Sequence, residues 1–231
     1  MLPYPPATPS LGSVFFGDRM KIIAVSLVAL LAATPALAQE APAAAPVGAR
    51  VEVRVGWDRP VTTLELFDDT VTYKDSAGKS GVSYGGEVGY DVMVGGFGTI
   101  GAYAGIDGSS VRDCVSYTTA ERFCIKAGRN ITAGVRVGHM ISATALLYAK
   151  AGYSNGSTTL TDRDLDAPEN DLREKLTRDG FHLGAGVEMG LSQNVYGKLE
   201  YVYTNYNGFE ATDAKLDADR HQVVAGVGVR F

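Results

Sequence analysis

His221-Gln-Val-Val-Ala-Gly-Val-Gly-Val-Arg-Phe231 decides how the rest of the chain is read. Counting back by twos from Phe231 gives Val229, Val227, Ala225 and Val223, one apolar face of an extended strand. Arg230, Gly228, Gly226, Val224 and Gln222 fall on the other face. A strand apolar on one side needs an apolar medium or partner on that side.

The same two-residue period recurs in runs at 50–57, 80–91, 96–106, 129–138, 144–153, 181–191 and 195–204. In the first, Val51, Val53, Val55 and Trp57 oppose Glu52, Arg54 and Gly56. In the fifth, Ala145, Leu147, Ala149, Ala151 and Tyr153 oppose Leu146, Tyr148, Lys150 and Gly152. With the last strand this makes eight. The connections at 58–79, 107–128, 154–180 and 205–219 are long, and those at 92–95, 139–143 and 192–194 are short. Strict alternation of long and short connections predicts an all-β chain, an eight-stranded antiparallel up-and-down transmembrane β-barrel with long external loops and short periplasmic turns. An even strand count starting in the periplasm returns both termini there.

Aromatic residues follow the outward parity. Trp57, Tyr84, Tyr153, Phe181 and Tyr203 fall near the external strand ends, and Tyr90 and Phe231 near the periplasmic ends, as two aromatic girdles require. The inward rows hold Glu52, Glu87, Glu188 and Glu200 together with Arg54, Arg136, Lys150 and Lys198. In a narrow interior such charges must pair, because an isolated buried charge is costly to desolvate. Eight strands leave room for side chains to fill the interior, so a plugged barrel is expected, with interleaved glycines such as Gly184, Gly186 and Gly190 making space for the charged side chains.

The other end of the chain bears on compartment. Lys21 precedes an apolar run from Ile22 to Ala33, and Pro35-Ala-Leu-Ala38 supplies a small-x-small cleavage site. Residues 1–38 are read as a signal peptide with a mis-assigned extension, Met20 being the expected true start; residues 39–49 form an Ala/Pro tether, and residues 50–231 the barrel. The net charge of -5 argues against nucleic acid as a partner. Cys114 and Cys124, closely spaced in an exported chain with no third thiol or nearby histidine, are expected to form a local disulfide. Asp162, Asp164 and Asp166 imitate the start of a calcium loop, but Ala167 replaces the turn glycine and Arg173 stands where the distal Glu belongs. That segment is read as a solvated acidic loop; no metal site and no cofactor is expected.

These features, together with Gly85-Gly-Glu-Val-Gly-Tyr90, Leu147-Tyr-Ala-Lys-Ala-Gly-Tyr153 and the terminal Val-Arg-Phe231, resemble a family of small outer-membrane β-barrels. It includes the transmembrane domain of outer-membrane protein A and the Omp25/31-like surface proteins of alphaproteobacteria. The resemblance covers about Arg50 to Phe231. It implies the outer membrane of a Gram-negative bacterium, contact with its lipid and lipopolysaccharide, and insertion by the barrel-assembly machinery with Val227, Val229 and Phe231 as the assembly signal. It implies no catalytic residue, and no C-terminal peptidoglycan-binding domain is expected.

The leading expectation is a non-enzymatic envelope protein whose barrel anchors four external loops, the ligand of the loops being unknown. A narrow ion or small-solute channel is the alternative. A lipid-modifying enzyme ranks below both: His139 is assigned to a periplasmic turn, His221 faces outward, and His182 faces the barrel mouth with no local motif placing a nucleophile beside it.

Overall fold

The computed structural model describes residues 46–67, 72–117, 121–164, 171–211 and 214–231. The signal segment and most of the tether lie outside them. Ten strands are present among the described residues: β1 (Gly48–Phe67), β2 (Thr72–Gly78), β3 (Gly81–Val94), β4 (Gly98–Ser109), β5 (Arg112–Ser116), β6 (Glu121–Met140), β7 (Ala145–Asp164), β8 (Leu172–Gly190), β9 (Val195–Ala211) and β10 (Ala214–Arg230). All pairings are antiparallel. β2 pairs only with the outer part of β1, and β5 only with β6. The other eight run in the order β1-β3-β4-β6-β7-β8-β9-β10, and β10 pairs back onto β1 from Arg50↔Arg230 to Leu66↔Ala214. The sheet is therefore closed, and no strand of the ring leaves an unpaired edge in lipid, where no water can satisfy one.

The alternation read from the sequence sets the two faces of this ring. Val51, Val53, Val55, Val88, Val135, Val137, Leu147, Leu183 and Val227 are exposed on the outside, while Glu52, Arg54, Glu87, Arg136, Lys150 and Glu188 are buried inside. Each outward Val or Leu taken up by lipid contributes about 1.5–3 kcal/mol. Arg50, Glu52 and Arg54 share the inner face because β side chains alternate, and the same two-residue step carries the row on to Asp58.

Near the termini, tight turns link the ring strands. Gly95 takes a left-handed φ of 66° in the β3–β4 turn. In the β6–β7 turn the Ser142 hydroxyl accepts from the Thr144 and Ala145 amides, and in the β8–β9 turn Ser192 accepts from Val195. At the far end the connections assigned as long loops are largely strand. β1 runs to Phe67, β6 begins at Glu121, and β7 and β8 stay paired as far as Asp162↔Leu172. The assigned strand ends are corrected outward: the period-two pattern persists with more polar residues, so hydrophobicity fades before the hydrogen-bonded ladder does. His139 is likewise corrected from turn to strand, since it pairs with Gly98 and Leu147 at the end of β6. Gly48 and Ala49, assigned to the tether, join β1 opposite Asp91 and Tyr90. Of the acidic segment, Asp162 and Asp164 lie on β7, whereas Asp166 and Ala167 lie outside the described residues.

Candidate functional site

The interior carries seven buried acids (Glu52, Asp58, Glu87, Asp91, Asp107, Glu188, Glu200) and seven buried bases (Arg50, Arg54, Arg136, Lys150, Lys198, Arg220, Arg230) among the described residues. They stack in layers along the barrel axis. Nearest the termini, Arg136 donates from Nε to Asp91 Oδ1 at 2.7 Å and from Nη2 to Asp91 Oδ2 at 2.6 Å, and also bonds Glu188. Arg230 Nη2 reaches Glu188 Oε2 at 2.8 Å, and Arg50 Nε lies 3.2 Å from Asp91 Oδ2.

In the next layer each acid meets more than one base. Glu87 takes Arg50 at 2.8 Å, Arg54 at 2.7 Å and Lys150 at 3.1 Å. Glu200 takes Lys150 at 2.8 Å and Lys198 at 3.3 Å, and Lys198 also pairs with Glu52. The structure thus brings together all eight charged residues singled out in the sequence. Higher still, Arg54 turns its Nε and Nη2 onto Asp107 at 2.8 and 2.7 Å. At the top Arg220 grips Asp58 through two bonds of 2.7 and 2.8 Å, and the Ser109 hydroxyl donates to Asp58 at 2.5 Å. Shared, multiply bonded pairs are the condition under which buried charge is tolerable in a low-dielectric interior.

Sequence reasoning missed Arg50, Asp58, Asp91, Asp107, Arg220 and Arg230 as members of this network. The signal was available: Asp58, Asp107 and Arg220 extend inward rows by two-residue steps past the assigned strand ends, and Arg50, Asp91 and Arg230 continue such rows inside the assigned runs. It read Tyr148 as inward but gave neither it nor Tyr103 or Tyr196 a part in the network. Tyr103, Tyr148 and Tyr196 stand directly opposite Gly134, Gly186 and Gly228 on the neighbouring strands. A Cβ on Gly134 or Gly186 would fall 2.7 or 2.6 Å from the facing phenol oxygen. Gly186 therefore makes room for an aromatic ring rather than for a charged side chain, whereas Gly184 does lie under Lys150. Tyr148 donates to Glu200 at 2.7 Å and Tyr196 to Glu52 at 2.8 Å, while Arg136, Lys150 and Arg230 lie 4.8–5.0 Å above the rings of Tyr148, Tyr103 and Tyr196.

His182 is buried between Tyr103, which bonds its Nε2, and Ser154, whose Oγ lies 2.8 Å from Nδ1. Ser154 is itself fully buried, at 0% exposure. The cavity beside them, between Arg54, Asp107, Thr132 and Glu200, has a volume of about 10 Å³, space for roughly one water.

On the outside, Trp57, Tyr84, Tyr153 and Phe181 are exposed toward the far end, and Tyr203 is half-buried there. Two girdle tyrosines are tethered alike. Tyr153 and Asn155 both donate to Asp179, and Tyr203 and Asn205 both donate to Asp219 at 2.6 and 2.8 Å. Tyr90 and Phe231 flank Ala49 at the termini end, and Val227, Val229 and Phe231 form an exposed outward row. Cys114 and Cys124 are disulfide-bonded across directly paired positions of β5 and β6.

Comparison with known proteins places these features in a family. A 22 kDa outer membrane protein of Rhizobium leguminosarum bv. viciae is 34% identical over 113 residues, 46% of this chain, and the match spans about half of that relative, 48% of its length. Among solved structures, the attachment invasion locus protein Ail of Yersinia pestis aligns with a TM-score of 0.43 at 14% identity, over 80% of this chain and 99% of Ail. Neisserial surface protein A aligns with a TM-score of 0.44 at 17% identity, over 78% and 97% of the two chains. Residues 24–231 match the model of the outer membrane protein beta-barrel domain, and with its closed antiparallel ring the chain belongs to that family of outer-membrane barrels.

Proposed function

We propose that this protein is a non-enzymatic outer-membrane anchor whose lumen is closed by a balanced ion-pair network and whose hairpin arms face the exterior. The balance of seven buried acids against seven buried bases, each within reach of an opposite charge or a hydrogen-bond donor, carries the reading. A conducting lumen needs mobile water and uncommitted charge along its axis, and here these groups are engaged with one another.

The termini then lie in the periplasm, with the three tight turns, and the long hairpins extend outward as external arms do in barrels of this architecture. The apolar outer face sits in membrane lipid, its upper edge against lipopolysaccharide. Assembly proceeds through the barrel-assembly machinery, with the outward row of Val227, Val229 and Phe231 read as its signal. The buried positions of Ser154 and His182 favour a packing role over nucleophilic chemistry, since a substrate must reach a nucleophile.

The test is topological and chemical together. A Lys74→Cys variant on the exposed β1–β2 arm is expected to react with a membrane-impermeant maleimide on intact cells. Labelling only after the outer membrane is broken would reverse the orientation. Lipid A of overexpressing cells is expected to keep its mass, and a new acylated or deacylated species would refute the non-enzymatic part.

A further inference from the structure

Above the Asp58–Arg220 pair the inner wall changes character. A bulge between Ala127 and Asn130 shifts the register of β6, so that Ile125 stands level with Leu160 of β7; in the regular β7–β8 ladder Thr158 stands level with Leu176. Leu216 of β10 stands opposite Leu64 of β1, with Arg220 four residues further along the same row. These strands have passed the level of Trp57, so their inward apolar side chains serve neither lipid contact nor ion pairing. Ile125, Leu160, Leu176 and Leu216 line a cavity of about 310 Å³.

The floor of this cavity is polar. Tyr206 lies across Gly156 with its Oη 3.2 Å from Asn130 Oδ1, beside Arg220, whose guanidinium is bonded to Asp58. Arg178, level with Gly156, adds a cation to the lining that forms no ion pair among the described residues. Asp219 borders the same space, but its carboxylate is engaged by Tyr203 and Asn205. Apolar walls, one uncommitted guanidinium and a hydrogen-bonding floor together favour a molecule with an anionic head and a single apolar chain. The volume stands at the lower end of small-molecule pockets, about 300–1,000 Å³, which excludes a lipid with several acyl chains.

We propose that this vestibule binds one single-chain anionic amphiphile, its head group on Arg178 and its chain against Ile125, Leu160, Leu176 and Leu216. The site goes beyond the anchoring role, and its failure leaves lumen closure untouched. The experiment uses the full barrel in nanodiscs with methyl-labelled Ile and Leu, titrated with decanoate, decanol or decyltrimethylammonium. Decanoate is expected to shift the Ile125, Leu160, Leu176 and Leu216 methyls saturably, with decyltrimethylammonium about tenfold weaker or more, the scale of a hydrogen bond to a charged group. Arg178→Gln removes that preference for the anion and leaves decanol binding in place, whereas Leu176→Asp weakens decanoate and decanol alike. Equal shifts from the anion and the cation, shifts confined to the lipid-facing Leu183 and Leu199, or an Arg178→Gln variant that keeps the wild-type preference would each overturn the assignment.

Discussion

Arg136→Ala probes the network where its geometry is most explicit. Arg136 is 2% exposed, holds Asp91 through two bonds of 2.7 and 2.6 Å, and also bonds Glu188. Removing it leaves seven buried acids facing six bases. Breaking a buried pair from one side costs about 3–5 kcal/mol. Asp91 retains Arg50 at 3.2 Å and Arg230 at 3.5 Å, and Glu188 retains Arg230 at 2.8 Å, which pulls the cost to about 3 kcal/mol. With a urea dependence of about 1–3 kcal/mol/M the unfolding midpoint falls by roughly 1–3 M. Trp57, the single tryptophan, lies on the outer face at 41% exposure, so its emission in lipid vesicles reports the transition. The paired variant Arg136→Met with Glu188→Gln restores equal numbers of acids and bases, and is expected to recover to within about 1 kcal/mol of the wild type, as replacement of a whole buried pair allows. A single variant that keeps the wild-type midpoint, or a paired variant no better than the single one, would falsify the reasoning.

Other consequences are measurable in the same vesicles. Val53 is 69% exposed, midway along β1 between Ala49 and Trp57, so Val53→Arg is expected to cost about 2–4 kcal/mol of folding free energy; a loss below about 0.5 kcal/mol would place this face outside the lipid. Cys114→Ser with Cys124→Ser should leave the barrel's urea midpoint unchanged and speed protease cleavage in the β5–β6 arm, because the bridge closes a separation of only 10 residues in one hairpin; a lowered midpoint would show that the arm supports the ring. Gly186→Val would push a side chain into the ring of Tyr148 and should cost about 1–3 kcal/mol, read as a lowered midpoint that Tyr148→Ala partly restores. In the β1–β2 arm the hydrogen bond from Lys74 holds the Glu65 carboxyl below its ordinary value of 4.5. Its support is therefore complete above about pH 4.5 and is lost as the pH falls through the lowered value. Acidification is expected to raise spin-label mobility at Ser76→Cys on β2, a rise that Glu65→Gln already shows at neutral pH, and mobility unchanged by either would show that the bond does not hold the arm.

The ring was legible in the sequence because lipid outside and charge inside impose one rule on every strand, and period two survives in a single chain without any partner information. Val51 to Trp57 against Glu52 and Arg54 is enough to orient β1. Where the rule loses its apolar half, as in Arg112–Ser116 or Leu172 to Arg178, hydropathy no longer separates a strand from a loop, and the arms were missed. Asp58 and Asp107 were lost for the same reason, since a carboxylate at the edge of an apolar run looks like the start of a loop. The facing of Tyr148 by Gly186 depends on cross-strand register, which one strand read alone does not contain. The bulge in β6 is likewise a two-strand property, and it decides which residues line the vestibule.

Single-channel recording of the wild-type barrel in planar bilayers at neutral pH tests the closed interior most directly. The account predicts a membrane that stays electrically silent, with openings appearing only when a member of the network such as Arg136 is replaced. Steady, reproducible openings from the wild-type protein, unchanged in Arg136→Ala, would contradict it.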